Sequence, residues 1–371
     1  MKIPFFRYPH VFQQQRESLL EALSRTADAG AYITQAQLRE FEERLAAFCG
    51  ARHAVGVGNA TDGLEMNLKL AGVKSGDEVL LPSHTMVATA SAIVAAGGRP
   101  VFVEIGADHL MDPDDLEHRI TPRSRAVMPV QLNGRTANMD RIGEIARRHK
   151  LTIVEDSAQG LGSRFRGRMA GTFGVAGVYS FYPAKILGAL GDGGAIVTDD
   201  DAAAQELREV RDHGRDQQTG EVVRWGRNSR LDNLQAVVLL TKLKCLDEEI
   251  ARRRSLACRY QERLRGVRQL VLPPPPDERS GAERFDTFQN YEIEAENRDG
   301  LRAHLTANGV GTLIQWGGKA VHQFPALGLT QPLPRTDHIL ARSLMLPMNS
   351  SLTDDEVDYI CEQVHGFYAQ G

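Results

Sequence analysis

The chain has 371 residues, enough for about two domains, and is 42% hydrophobic and 25% charged. That composition supplies a large core and excludes a disordered or fibrous chain. Lys plus Arg number 44 against 48 Asp plus Glu, for a net charge of −4, which argues against a dedicated nucleic-acid binder.

Cys49, Cys245, Cys258 and Cys361 form no CxxC pair and no Cys/His cluster of zinc spacing. They read as reduced thiols, and no metal site is expected. The start MKIPFFRYPHVFQQQRE has no apolar signal region, and no run of 18 apolar residues follows. A soluble cytoplasmic protein without a membrane partner is expected.

In chain order, the first 50 residues read as helical after a Pro-containing start. QAQLREFEERLAAFCG (35–50) spaces Leu38, Phe41, Leu45, Ala46 and Phe48 along one helix face, and Gly50 stands at the C-cap position. Strand candidates then follow at 53–57, 78–82, 100–104, 125–130, 151–156, 177–181 and 194–198. Several are apolar throughout, which suits strands covered on both faces. Helical stretches at 61–72, 87–98, 139–150 and 201–214 separate most of them. This alternation predicts an α/β domain with a mainly parallel seven-stranded sheet between helices.

Near residue 230 the texture changes. Residues 231–264 read as one long amphipathic helix, the bridge into a smaller C-terminal α+β domain. PPPPDERSGAER (273–284) reads as a loop, 288–295 as a strand, 298–309 as a helix and 354–368 as a final helix. The expected division is 1–245 for the large domain and 246–371 for the small one.

In an open α/β sheet, ligands bind beyond the carboxyl ends of the strands. Four strand-end segments carry chemistry. GNATDGLEM (58–66) leads into a helix whose free N–H groups suit a phosphate, although Asn59 or Thr61 could equally be a plain helix cap. VEDSAQG (154–160) ends a strand in Glu155 and Asp156 with Gln159 just beyond. Asp156 is either a cap or an acid aimed at a cationic ligand atom. SFYPAKILGALGDGG (180–194) places Ser180 and Lys185 before a glycine-rich run. Lys185 is either a solvated loop lysine or a buried amine with a lowered pKa, able to form a Schiff base. WGRNSRLDNLQA (225–236) offers Asn228 and Arg230, as anion ligands or as capping and salt-bridging residues. Together, a phosphate cradle, an acid and a lysine 29 residues later are the set that a pyridoxal phosphate site requires.

The order and wording of these motifs resemble the DegT/DnrJ/EryC1/StrS sugar aminotransferases, pyridoxal-phosphate enzymes of the aspartate-aminotransferase fold (fold type I). The resemblance runs from GAYITQAQLREFEERLAAF (30–48) to SLMLPMNSSLTDDEVDYI (343–360), and is densest at 154–200. It implies that Lys185 carries the cofactor as an imine and later shuttles a proton. Asp156 would face the pyridine nitrogen, and Gln159 the ring or its phenolic oxygen. Ala60, Thr61 and Ser180 would hold the phosphate. Asn228 would reach the phosphate of the neighbouring subunit, which implies a homodimer with shared active sites.

The implied reaction is ping-pong transfer of an amino group from glutamate to a keto or aldehydo sugar, with a nucleotide-linked deoxysugar as the expected acceptor. Alternatives are an unlinked acceptor, such as an 8-oxo-octulosonic acid or a keto-inositol, or a non-catalytic regulatory protein of the same fold. Dehydratase relatives replace the lysine with His, whereas Lys185 is intact. Some segments depart from the family pattern. SHTMVAT (83–89) puts Met86 where an aromatic residue covers the ring, so Met86 or His84 is expected to cover it, and His84 is also a candidate substrate contact. Gln131 and Asn133 stand where many members have a His-containing segment. LIQWGGKAVHQF (313–324) brings Trp316, Lys319 and His322 as candidate acceptor contacts.

Overall fold

The computed structural model describes residues 1–277 and 282–369. All seven strand candidates form strands: β1 (His53–Val57), β2 (Glu78–Pro82), β3 (Arg99–Val103), β4 (Ser124–Val127), β5 (Thr152–Asp156), β6 (Ala176–Ser180) and β7 (Gly194–Thr198). They make one sheet of order β1-β7-β6-β5-β4-β2-β3. Strand β7 runs antiparallel to both neighbours, and the other pairings are parallel. The carboxyl ends of six strands, and the start of β7, therefore share one edge.

Helices cover both faces of the sheet. Ala36–Cys49 buries Leu38, Phe41, Leu45 and Cys49, and stops at Gly50 in the left-handed region (φ 71°), as its spacing predicts. Burying each such side chain contributes roughly 1.5–3 kcal/mol before chain entropy is counted. The same helix buries Glu42, which accepts the Gly56 N–H at 2.8 Å and pairs with the buried Arg211 guanidinium. Ala60–Leu70 lies close on the sheet because Gly63 faces Val178; a Cβ there would sit 2.9 Å from the valine side chain.

Residues 231–264 are two helices rather than the single one expected, Asn233–Leu243 and Leu246–Leu264, broken at Lys244–Cys245. The first buries an apolar run from Ala236 to Leu240, with Ala236, Leu239 and Leu240 packed in one cluster with Phe41, Leu45 and Leu246. The second is charged and amphipathic. Two such different surroundings are not met by one straight rod.

A second sheet is antiparallel: β8 (Leu270–Val271), β9 (Tyr291–Ala295) and β10 (Ser343–Leu346). Its core joins Tyr260, Tyr291, Leu301, Val357 and Ile360, and also takes in Ile3 from the N-terminus. Strand β10 was not expected. Its four residues are all buried and directly follow helix Pro334–Arg342, so they show no alternation to read. The predicted helices at 298–309 and 354–368 are Arg298–Ala307 and Asp354–Ala369. Of the predicted loop 273–284, residues 278–281 lie outside the described residues, and Arg284–Phe285 pairs with Arg164–Phe165 as a short strand. The four cysteines are free thiols. Among the described residues, no helix is long and apolar enough to cross a membrane.

Candidate active site

The sequence-predicted residues converge on the carboxyl edge of the sheet. Strand period separates the adjacent acids Glu155 and Asp156 onto opposite faces. Glu155 accepts N–H groups from Gly171 (2.8 Å) and Gly174 (3.1 Å) and an amide hydrogen from Gln131 (2.8 Å), so it shapes the 171–174 turn. Asp156 faces the site. Its Oδ2 accepts the Thr89 hydroxyl at 2.7 Å, and its Oδ1 accepts the Ala158 N–H at 3.1 Å. Thr89 in turn meets Thr85 at 2.7 Å. Burial raises the Asp156 pKa, opposed by Thr89, the Ala158 N–H and the charge of Lys185. The capping contact to Ala158 is present, but it uses only one oxygen.

Lys185 follows β6 and is half-buried. Burial pulls its ammonium down to about 8, although the Asp156 carboxylate acts in the opposite sense. It is therefore not the plain solvated loop lysine. Gln289 holds the loop: its Nε2 donates to Ala184 O (2.9 Å), and its Oε1 accepts from Ile186 N (2.7 Å). Lys185 and Gln289 line an open cleft of about 450 Å³, with Phe5, Tyr8, Arg252 and Asn290 among its walls. That volume suits a small organic ligand.

At the next strand ends, Asn59 caps helix Ala60–Leu70 by accepting from Asp62 N at 2.9 Å. The first helical bond runs from Gly63 N to Asn59 O. The N–H groups of Ala60 and Thr61 thus lie ahead of the helical ladder, where an anion is favoured. The cap is present, and it leaves these two N–H groups open to an anion. Gly194 pairs with Val57 on one side and Ser180 on the other, so β7 brings Ser180 beside the helix start. A Cβ on Gly194 would lie 2.8 Å from Ala60 N and 3.0 Å from Tyr179 O. Ser229 donates no ring or charge here, but its hydroxyl accepts the Gly58 N–H at 3.1 Å.

Gln159 is part of a polar network. Its Oε1 accepts from Asn133 N (3.0 Å) and Asn290 Nδ2 (3.1 Å). Asn133 Oδ1 accepts from Asn290 and Gln315, and Asn133 Nδ2 donates to Glu292 at 2.7 Å. His84 is fully buried in this region, against the rings of Trp316 (5.3 Å) and His109 (5.7 Å). Burial lowers the His109 pKa, but Glu292 and Glu294 outweigh it and push the group up to about 9.

Met86 instead stands exposed at the start of helix Val87–Ala95. His322 is held at both ring nitrogens, by Ser83 (2.7 Å) and Asp337 (2.9 Å), and clamps its turn to the end of β2. Trp316 is half-buried in a left-handed turn, and Lys319 is exposed. Asn228 is exposed on the arm bridged to Asp212, while Arg230 forms a salt bridge to Asp212. Thr89, Ser229, Gln289 and Asn290 were missed in the sequence. Thr89 closes the SHTMVAT segment, which was a usable signal; Gln289 and Asn290 lie far along the chain with no local pattern.

The residues fit pyridoxal phosphate: a cradle that one Cβ would fill, a buried carboxylate with lone pairs left over, and a lysine of lowered pKa. Fold and site define a class, the pyridoxal-phosphate-dependent aminotransferases of fold type I. Residues 13–365 match the DegT/DnrJ/EryC1/StrS aminotransferase family, and the chain belongs to it. The erythromycin biosynthesis sensory transduction protein EryC1 of Saccharopolyspora erythraea is 40% identical over 365 residues, covering 97% of this chain and 98% of that protein. The dTDP-3-amino-3,4,6-trideoxy-alpha-D-glucose transaminase of Streptomyces venezuelae is 39% identical over 356 residues, 95% of this chain and 92% of that one. The crystal structure of S. venezuelae DesV aligns with a TM-score of 0.94 at 38% identity, covering 99% of this chain and 98% of that chain.

Proposed function

We propose that this aminotransferase moves an amino group from glutamate to a nucleotide-linked keto-deoxysugar, in ping-pong order. The observation that carries the reading is Lys185, of lowered pKa, set against Asp156 at the sheet edge. The acceptor class follows the S. venezuelae relative, which is named for a dTDP-amino sugar.

Bound pyridoxal phosphate supplies an electron sink for charge developing at the donor α-carbon. Asp156 keeps the ring nitrogen protonated, and Thr89 orients its carboxylate. The Ala60 and Thr61 N–H groups and the Ser180 hydroxyl bind the phosphate. Gln159 would face the phenolic oxygen, and Met86 would cover the ring. Lys185 Nζ, once free, would take the proton from the donor α-carbon and deliver it to the cofactor's C4′ carbon, as a base and acid poised near working pH. His84 and His322 position their surroundings, and Trp316 and Lys319 meet the acceptor.

The working unit in this proposal is a homodimer in which Asn228 completes the partner's phosphate site. Its support is the arm that bears Asn228: Trp225 is 99% exposed, and Val222 and Val223 are also exposed. Apolar surface of that kind marks a contact with another chain. Residues 1–245 form the cofactor-binding domain and 246–371 the small domain, divided at the Lys244–Cys245 break.

The test is a half-reaction. Reconstituted protein given glutamate alone releases one 2-oxoglutarate per chain, and then aminates a dTDP-linked keto sugar. Release without amination of that sugar, but with amination of an unlinked one, moves the acceptor to the free-sugar class. No release at all sinks transamination and favours a regulatory role.

A further inference from the structure

A second constellation lies beside the cofactor site and has no part in the chemistry above. His84 stands in the loop after β2, His109 in the turn after β3, and Glu292 on β9 of the second sheet. One ligand-type atom from each lies within 4.8 Å of the other two. Around a tetrahedral zinc ion, ligand atoms sit roughly 3.3 Å apart, so side-chain movements of about an ångström would close the set. The pair His84 Nε2 and Glu292 Oε1 is already at 3.5 Å.

The hydrogen bonds show which atoms are spare. Among the described residues, both ring nitrogens of His84 are buried and lack a hydrogen-bond partner, and so does Glu292 Oε1. Leaving such groups unmet is costly inside a protein. The remaining atoms are held as metal-ligating groups usually are. Glu292 Oε2 accepts from Asn133 Nδ2 at 2.7 Å, which leaves Oε1 aimed at His84. His109 Nδ1 meets Glu292 Oε2 (2.9 Å) and would exchange that contact for the ion, while its Nε2 faces Glu294 (3.4 Å), which can orient the ring. His109, Asn133 and Glu292, though not His84, line an adjoining cavity of about 30 Å³, room for a water beside the ion.

We propose that His84 Nε2, His109 Nδ1 and Glu292 Oε1 bind a divalent transition-metal ion of the zinc type, with a water from the cavity as fourth ligand. Two imidazoles and one carboxylate are a donor set suited to zinc. The ion would displace the His109 proton and take its place beside the buried Glu292 and Glu294. It also ties two loops of the large sheet to β9, and through Asn133 it fixes the amide that meets Gln159. The site is an interdomain staple.

The test uses the cofactor-loaded protein, stripped of metal by a chelator and dialysed. Titration with Zn²⁺, read by elemental analysis after gel filtration, is expected to give one ion per chain. Melting is expected to rise by roughly 3 °C at a hundredfold excess over the dissociation constant. Co²⁺ is expected to give weak visible bands without the strong near-ultraviolet absorption of a thiolate ligand. Glu292→Gln and His84→Ala should lose the ion and the melting rise, whereas His53→Ala, in the surface pair with Asp201, should keep both. Wild-type protein that holds no zinc overturns the proposal. So does thiolate absorption with Co²⁺, or zinc retained by both variants. The wild-type arms stand even where a variant fails to fold.

Discussion

The side-chain amide of Gln289 grips the backbone on both sides of Lys185, donating to Ala184 O and accepting from Ile186 N. The lysine thus sits on a loop after β6 but is aimed by a residue from the segment leading into β9. Each neutral hydrogen bond contributes about 1 kcal/mol net. Gln289→Ala is therefore expected to weaken cofactor retention by about tenfold, with little change in the circular dichroism spectrum. Absorbance-monitored titration of the stripped protein measures it; unchanged retention would mean that the loop holds its shape without the clamp.

The lowered pKa of Lys185 gives a pH prediction. Only the neutral amine attacks an aldehyde. With the group at about 8, the neutral fraction grows as pH rises through that value and then levels off. The rate at which stripped protein takes up pyridoxal phosphate should follow the same curve, far below the 10.5 of an ordinary lysine. The Asp156 carboxylate raises the lysine pKa, so Asp156→Asn should move the midpoint below 8. A midpoint that stays put would show that the two groups are not coupled.

Much of this arrangement was legible in the chain because strand ends are local features. Fully buried strands are short apolar runs, and each of the seven could be picked out between helical stretches. Asp156 ends one such run, and Lys185 and the Ala60–Thr61 turn lie shortly after others. Adjacent acids share no face of a strand, and the pleat shows which one shapes the 171–174 turn and which meets Thr89. Glu292 had no local signal at all. It meets His109 across 183 residues, and no spacing rule reaches that far. The break at Lys244–Cys245 was hidden because two helices with different surroundings can still read as one continuous period.

Gly194 supplies a steric test of the phosphate cradle. Backbone atoms of Ala60 and Tyr179 crowd the position where its Cβ would be, and backbone yields less than a side chain. Gly194→Ala should cost about 1–3 kcal/mol through overpacking. Because the strain falls at the helix start, affinity for pyridoxal phosphate should drop by roughly ten- to a hundredfold. Affinity equal to wild type, by the same titration, would place the phosphate elsewhere.

The shared active site can be tested by mixing two inactive chains. Lys185→Ala removes the group proposed to move the proton, so its glutamate half-reaction should fall by about 10²–10⁴-fold. Asn228→Ala leaves Lys185 intact but removes the amide carried on the exposed arm beside Trp225. If that arm completes the neighbour's cradle, a dimer of one chain of each kind holds one site with both defects and one with neither. Chains co-expressed with different tags and purified as the mixed dimer should then recover about half of the wild-type 2-oxoglutarate release. If Asn228 served its own chain, each site of the mixed dimer would carry one defect and no activity would return. Size measurements on the two parents come first, because an Asn228→Ala chain that no longer pairs would make the arm a dimer contact rather than a phosphate ligand.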